Sequence, residues 1–376
     1  MNISKEARDI HYSSLVVDTH SDSLAWPTRH GVDIGLPQEE THMDLPRMKE
    51  GNQNVQFFAC YASPSWIEEK KVVQVTLDYM DSFHTLMRNY PDQIEQATTA
   101  DDVRRITDAG KLAGILCVEG GHSIDDDLSI LRMYHQLGAR YMTLTWNNTN
   151  NWADGVLGEP RHGGLNHFGK EVVREMNRLG MFVDISHVAP ATFWDAIATT
   201  TKPVIASHSS AKAICAAPRN LEDEQIKAVA ENGGVIGVNY EITFVGEAYR
   251  VAKAAADEEK VEAVKRTEKD HPADSDGIEN ALREIDERHE EKVAGLQKPH
   301  YTEIVDHIDH MVSVAGVDHI GLGSDFDGAT MPEGMEDCTK VPLITDELVT
   351  RGYSESDIRK ILGENFMRVM EEVLAD

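Results

Sequence analysis

Eight short runs rich in Val, Ile, Leu and Phe recur along the chain, and between them apolar residues return at the three- and four-residue spacing of helices. The runs occupy 15–22, 55–62, 112–121, 139–146, 181–188, 202–209, 233–240 and 319–326. Their length and β-branched content predict buried strands. The segments 125–138, 167–180 and 221–234 predict helices, each with a closing Gly that suits a C-cap. Strand and helix alternating through eight units predict an α/β fold with a parallel sheet, closed as a (β/α)8 TIM-type barrel. A doubly wound open sheet is the competing architecture.

Two stretches depart from this rhythm. Residues 65–98 carry a long helical pattern ahead of a shorter one. Residues 247–297, rich in Ala, Glu, Lys and Arg, read as a helical insertion after the seventh strand with a break at 271–274. A solvated helix pair is the plain reading of this insertion; a lid or a dimer contact is the alternative. The segment 354–374 predicts a helix with Ile358, Ile361, Leu362, Phe366, Val369 and Met370 on one side, packed on the barrel exterior. No linker or internal repeat divides the chain, so 1–376 is expected to form one domain.

The residues that end the runs change the picture. LVVDTHSD closes on His20 and Asp22, CVEGG on Glu119, DISHV on His187, ASHSS on His208 and GLGSDFDG on Asp325. A barrel gathers the C-terminal ends of its strands on one ring, where an active site is built, whereas an open sheet would spread them along a line. His20 and Asp22, two apart on a strand, point to the same face. Glu119 is costly to bury without a cation, and its two oxygens can bridge two metals. Three His and two carboxylates suit zinc, with manganese, cobalt or iron as substitutes. Asp325, not needed as a further ligand, can shuttle a proton, and Asp327 reads as a turn or supporting residue. Arg219, 11 residues past His208, can clamp a carboxylate from a loop. Alone, a strand-end His is usually structural and a loop Arg usually ordinary surface. Together these residues point to a binuclear metallohydrolase.

Composition mainly limits partners. The 376 residues carry 65 acidic against 36 basic side chains, a formal charge of −29 that disfavours nucleic acid and anionic membranes. No run of about 18 apolar residues and no secretory pattern at the start are visible, so the expectation is a cytoplasmic protein. Cys60, Cys117, Cys215 and Cys338 lie far apart without CxxC spacing and are expected to be reduced and buried.

The ordered set DTHSD, VEGGHS, TLTWNNTNNWADG, DISHV, SHSSA with Arg219 in PRN, GLGSDFDG and GENFMRV resembles the membrane (renal) dipeptidase family of the amidohydrolase superfamily, in a soluble prokaryote-like form. The resemblance runs from about Leu15 to Val369. It implies two Zn2+ per chain, with His20 and Asp22 on one, His187 and His208 on the other, and Glu119 bridging. It further implies that Asp325 is the proton shuttle, that Arg219 binds the substrate carboxylate and that Tyr61 lines the same pocket. The implied activity is hydrolysis of the amide bond of dipeptides, including those with a C-terminal D-residue, by a hydroxide shared between the metals, in a chain that forms a homodimer. One position departs from the family. Where its dipeptidases carry a histidine that meets the substrate, this chain has Trp146, and Asn147, Asn148, Asn150 and His162 are the candidate replacement donors. An amidohydrolase for another N-acyl amino acid or modified dipeptide therefore stays open, as does a catalytically silent metal-containing binding protein. A lactonase or deaminase of the same superfamily is a third alternative.

Overall fold

All eight apolar runs become strands, and the strands close into a ring. The computed structural model describes residues 3–270 and 275–374. Its strands are β1 (Val16–Ser21), β2 (Gln53–Tyr61), β3 (Ile94–Gln96), β4 (Leu112–Glu119), β5 (Ala139–Thr143), β6 (Phe182–Asp184), β7 (Ile205–Ala206), β8 (Val235–Val238) and β9 (Ile320–Leu322). Every pairing is parallel. β1 pairs with both β2 and β9, and β2 pairs with β4 from Val55 opposite Ala113 to Tyr61 opposite Glu119. Pairing then runs on from β4 through β9, which closes an eight-strand (β/α)8 barrel with helices between the strands. β3 is the strand that the hydrophobic pattern does not predict. It lies beside Leu112–Gly114, on the edge of β4 that β5 occupies further along.

Side chains in phase with Glu119 point into the barrel. Ala113, Ile115 and Cys117 share one buried cluster with Val17, Phe57, Tyr141, Phe182, Ile205 and Val235. The opposite faces, including Leu116, Val118, Met142, Val183, Ile236 and Leu322, join the surrounding helices in a larger cluster. Strands buried on both faces explain why their sequences read as continuous apolar runs.

The predicted helices form at Leu128–Gln136, His167–Leu179 and Asp223–Glu231. In the second, Asn166 caps the start by accepting from the N–H of Gly169, and Gly180 ends it in the left-handed region at φ 72°. The long pattern in 65–98 forms its helix only from Val72 to Asn89, because the chain first turns through Lys70 at φ 55°. Ala100–Asp108 is the shorter helix that follows.

The segment 354–374 divides its work. Ile358, Ile361 and Leu362 pack in the outer cluster, as expected for a helix on the barrel exterior. Beyond the Lys360–Glu364 π-turn, Phe366, Val369 and Met370 join the interior cluster instead and close the end of the barrel opposite the strand C-termini. The Phe366 ring lies tilted 6.5 Å from that of Phe57, and a Cβ on Gly321 would run into it. Phe366→Ala is expected to cost about 3–5 kcal/mol of unfolding free energy in chemical denaturation, the range for a fully buried aromatic.

Between β8 and β9, helices Glu247–Asp270 and Ser275–Ala294 pair through buried Ala256 and Ile285 and through ion pairs Lys260–Asp286 (2.8 Å) and His289–Asp257 (2.7 Å). Val251 and Val261 of this helix pair stay exposed. The expected break at 271–274 lies outside the described residues. All four cysteines are buried and unpaired. Among the described residues no helix is long and apolar enough to cross a membrane.

Candidate metal centre

The ring of strand ends places all six of the expected centre residues together. His20 is the penultimate residue of β1 and Asp22 follows its end; Glu119 ends β4; His208 lies two residues past β7. His187 and Asp325 follow β6 and β9 by three residues, and both stand in the left-handed region, at φ 67° and 63°. That backbone is strained for residues other than Gly and recurs at functional sites. Glu119 Oε1 is 3.0 Å from His187 Nε2, 3.6 Å from His208 Nε2 and 3.9 Å from His20 Nε2. His20 Nε2 also faces Asp22 Oδ2 at 3.5 Å and Asp325 Oδ1 at 3.8 Å. Ligand atoms of His20, Glu119 and His208 lie within 4.8 Å of one another, as do those of His20, Asp22 and Asp325.

The outer nitrogens of the three imidazoles are all engaged. His20 Nδ1 is 2.6 Å from the Tyr141 hydroxyl, and His187 Nδ1 donates to Asn147 Oδ1 at 2.9 Å. Ser207 Oγ donates to Asp184 Oδ2 at 2.7 Å, so the 2.7 Å contact to His208 must run from His208 Nδ1–H to the serine oxygen. For His187 and His208 this leaves Nε2 with its lone pair toward Glu119, the arrangement that supports metal-ligating histidines. Two consequences fit a bound cation. His187 and His208 Nε2 face each other at 2.8 Å as two acceptors, and His20 Nε2 is buried with no hydrogen-bond partner.

Electrostatics agree. Burial, with the positive charge of Arg219 and His20 nearby, holds His187 and His208 well below the usual imidazole range, so both are neutral ligands. Burial and the neighbouring Asp22 push the Glu119 carboxyl well up, and burial pushes Asp325 up to about 6. Burial would lower His20, but Glu119, Asp22 and Asp325 outweigh it and raise it to about 10. A cation among these carboxylates would remove their mutual repulsion. Close approach is built into the backbone as well, since a Cβ on Gly328 would collide with the carboxylates of Asp22 and Asp325.

The centre opens into a cavity of about 380 Å3 whose walls include Tyr61, Tyr79, Trp146, Asn147, Arg219 and Phe244. Arg219 is only 5% exposed. Its Nη2 donates to His208 O at 3.3 Å and its Nε has no partner. Burial lowers its pKa to about 10, with Asp325 and Glu119 opposing the shift, so it remains charged. Trp146 stacks on His187 with ring centroids 6.2 Å apart and leans on Tyr61 at 5.1 Å, so it walls the pocket.

Of the four replacement donors for the missing histidine, only Asn147 lines the cavity. His162 contacts Asn150 O, and the Asn150 side chain is spent on Leu144 O and on the N–H groups of Trp152 and Ala153. Asp327 is a supporting residue, as expected: it accepts from Ser23 Oγ, Trp26 Nε1 and the His42 N–H. Sequence reasoning missed Tyr141, Asp184, Ser207 and Asn239, whose Nδ2 donates to Asp325 Oδ2 at 2.9 Å. Asp184 and Ser207 stood inside the motifs DISHV and SHSSA; Tyr141 in β5 and Asn239 just past β8 had no polar pattern to mark them.

Known proteins share this fold. The model of the membrane dipeptidase family, peptidase family M19, matches residues 4–375. The chain is 25% identical to the probable dipeptidase PvdM from Pseudomonas aeruginosa, with a TM-score of 0.84 over 98% of both chains. It is 27% identical to dipeptidase AC, a family M19 metallopeptidase, with a TM-score of 0.79 over 97% of this chain and 100% of that one. It is also 27% identical to a metallopeptidase from Rhodobacter sphaeroides solved with a phosphinate mimic of the dipeptide L-Ala-D-Ala, with a TM-score of 0.77 over 96% and 100% of the two chains. With the barrel and its ring of candidate ligands in place, the match over nearly its whole length shows that the chain belongs to the membrane dipeptidase family and is a metallo-dipeptidase.

Proposed function

We propose that this chain is a binuclear zinc hydrolase that cleaves the amide bond of dipeptides, including those with a D-residue on the C-terminal side. The observation that carries the reading is the pairing of a nitrogen-rich centre with a buried, partly unsatisfied Arg219 across one cavity. His20 and Asp22 would hold one cation, His187 and His208 the other, and Glu119 both. Manganese, cobalt or iron fits the same donors. The D-residue preference draws support from the R. sphaeroides relative, which was solved with an L-Ala-D-Ala mimic.

When bound, two divalent cations supply an acidified water as nucleophile and polarise the carbonyl that it attacks. The chain's own residues do the rest. Arg219 receives the substrate carboxylate in bidentate fashion and so fixes which amide lies over Glu119. Asp325, held by Asn239 and facing His20, takes the proton of the attacking water on Oδ1 and returns it to the departing amine. Trp146 and Tyr61 exclude water from one wall. The Trp146 indole carries a single N–H donor and no charge, so it can offer the substrate carbonyl at most one neutral hydrogen bond.

Metal analysis with a dipeptide library tests the assignment. The expected result is two zinc equivalents per chain, turnover of free dipeptides, and at least about tenfold slower turnover of the matching dipeptide amides, which lack the carboxylate for Arg219. Equal rates on acids and amides would remove Arg219 from its role. No turnover of any dipeptide by the two-metal protein would overturn the substrate class.

A further inference from the structure

The cavity has a second arginine, on an exposed side chain. Arg29 lies in the π-helical turn Trp26–His30 between β1 and β2, and it lines the same cavity as Arg219. Its guanidinium lies 5.7 Å from the centroid of Tyr61 and 5.4 Å from that of Tyr79. Nη2 donates to Tyr61 O at 3.2 Å. Among the described residues no carboxylate forms an ion pair with it, in a chain where acids outnumber bases 65 to 36. Asp327 pins the turn that carries Arg29 through the Trp26 indole. The guanidinium is thus held by rings, a carbonyl and a fixed turn, with donors to spare.

Tyr79 supplies a second, independent sign. It is 1% exposed, it lines the cavity, and its hydroxyl has no hydrogen-bond partner among the described residues. A buried hydroxyl without a partner costs free energy that a ligand acceptor would recover. Burial also pushes the phenol up, so it stays a donor throughout the working pH range.

Position completes the argument. Arg29 and Tyr61 come from the β1–β2 side of the ring, whereas Arg219 and Phe244 follow β7 and β8 on the far side, with Glu119 and the histidines between them. A dipeptide whose carboxylate lies on Arg219 and whose amide lies over the centre must extend its N-terminal residue toward Arg29 and Tyr79. We propose that this is a subsite for an acidic side chain, so that the preferred substrates are dipeptides with Glu or Asp at the N-terminal position. The proposal rests on the dipeptidase reading above and deepens it.

The test compares L-Glu–Ala with L-Gln–Ala, each with L- and D-alanine, on zinc-loaded wild type and Arg29→Gln. A charge-assisted hydrogen bond predicts that wild type favours the Glu substrate in kcat/KM by at least about tenfold and that Arg29→Gln reduces the ratio to near one. A wild-type ratio at or below one, or a ratio unchanged in Arg29→Gln, overturns the subsite. Calorimetric binding of Glu–Ala and Gln–Ala to zinc-loaded Asp325→Asn, with and without Arg29→Gln, separates the two readings. Absence of all dipeptide turnover in wild type sinks the dipeptidase assignment, whereas equal affinity for the two ligands sinks the Arg29 subsite even if turnover is found.

Discussion

Asp325→Asn is expected to keep the fold and the full metal complement while turnover falls by about 10² to 10⁴, the usual worth of a positioned acid–base group. The substitution is close to isosteric, and Asn tolerates the left-handed backbone that Asp325 occupies at φ 63°. The amide oxygen can still accept from Asn239, which now meets Asp325 Oδ2 at 2.9 Å. Only the ability to take a proton and give it back is lost. The fall should therefore appear in kcat, with KM changed far less. Steady-state kinetics beside metal analysis checks this; a variant that retains kcat within about tenfold while holding two metals would remove Asp325 from proton transfer.

Glu119→Gln is expected to act one step earlier, on assembly of the centre. Gln offers one neutral oxygen where Glu119 presents a charged pair within reach of His20, His187 and His208. Metal content should drop below two per chain. Activity should fall by about 10³ or more, since Lewis-acid and nucleophile functions together contribute several kcal/mol at 1.36 kcal/mol per decade. The metal-free proteins should order the other way. Burial raises the Glu119 carboxyl well above its unfolded value, so its ionised form carries a folding penalty that is present above the unfolded pKa and absent below it. Metal-free Glu119→Gln should therefore melt higher than metal-free wild type at pH 7, with the gap closing as pH falls through about 4.3. A lower melting temperature for the variant at pH 7 would show that Glu119 stabilises the fold without metal.

The barrel was legible because each strand of the ring is buried on both faces and so reads as a run, even where pairing spans only Ile205–Ala206. β3 was not legible, since only Ile94 of its three residues is buried. Helical periodicity named the apolar side of 354–374 correctly but not its partner. The π-turn at Lys360–Glu364 redirects Phe366 from the outer cluster to the inner one, and no period in the sequence encodes that change of direction.

The six centre residues were legible because strand ends converge in a barrel. Their supports were less so. Tyr141 sits 121 residues from the His20 it contacts, and Arg29 and Tyr79 meet only because a π-turn and a long helix bring them to one wall. Asp327 shows the reverse case: two residues from Asp325 in sequence, it turns at φ 65° to bind Ser23, Trp26 and His42.

Ring closure carries a consequence for how the chain is made. The edge of β1 that β9 covers stays unpaired until β9 exists, and the Thr19 hydroxyl lies between Ser207 O at 2.6 Å and Leu322 O at 2.9 Å, acceptors 188 and 303 residues away. During vectorial synthesis a strand edge with free N–H and C=O groups is therefore exposed for nearly the whole of translation. Contacts of such long sequence separation also slow the search once the chain is complete. A nascent chain of this design needs either rapid local collapse of its first βα units or a holdase on its leading edge, and its vulnerable interval is the ribosome's rather than the folded enzyme's.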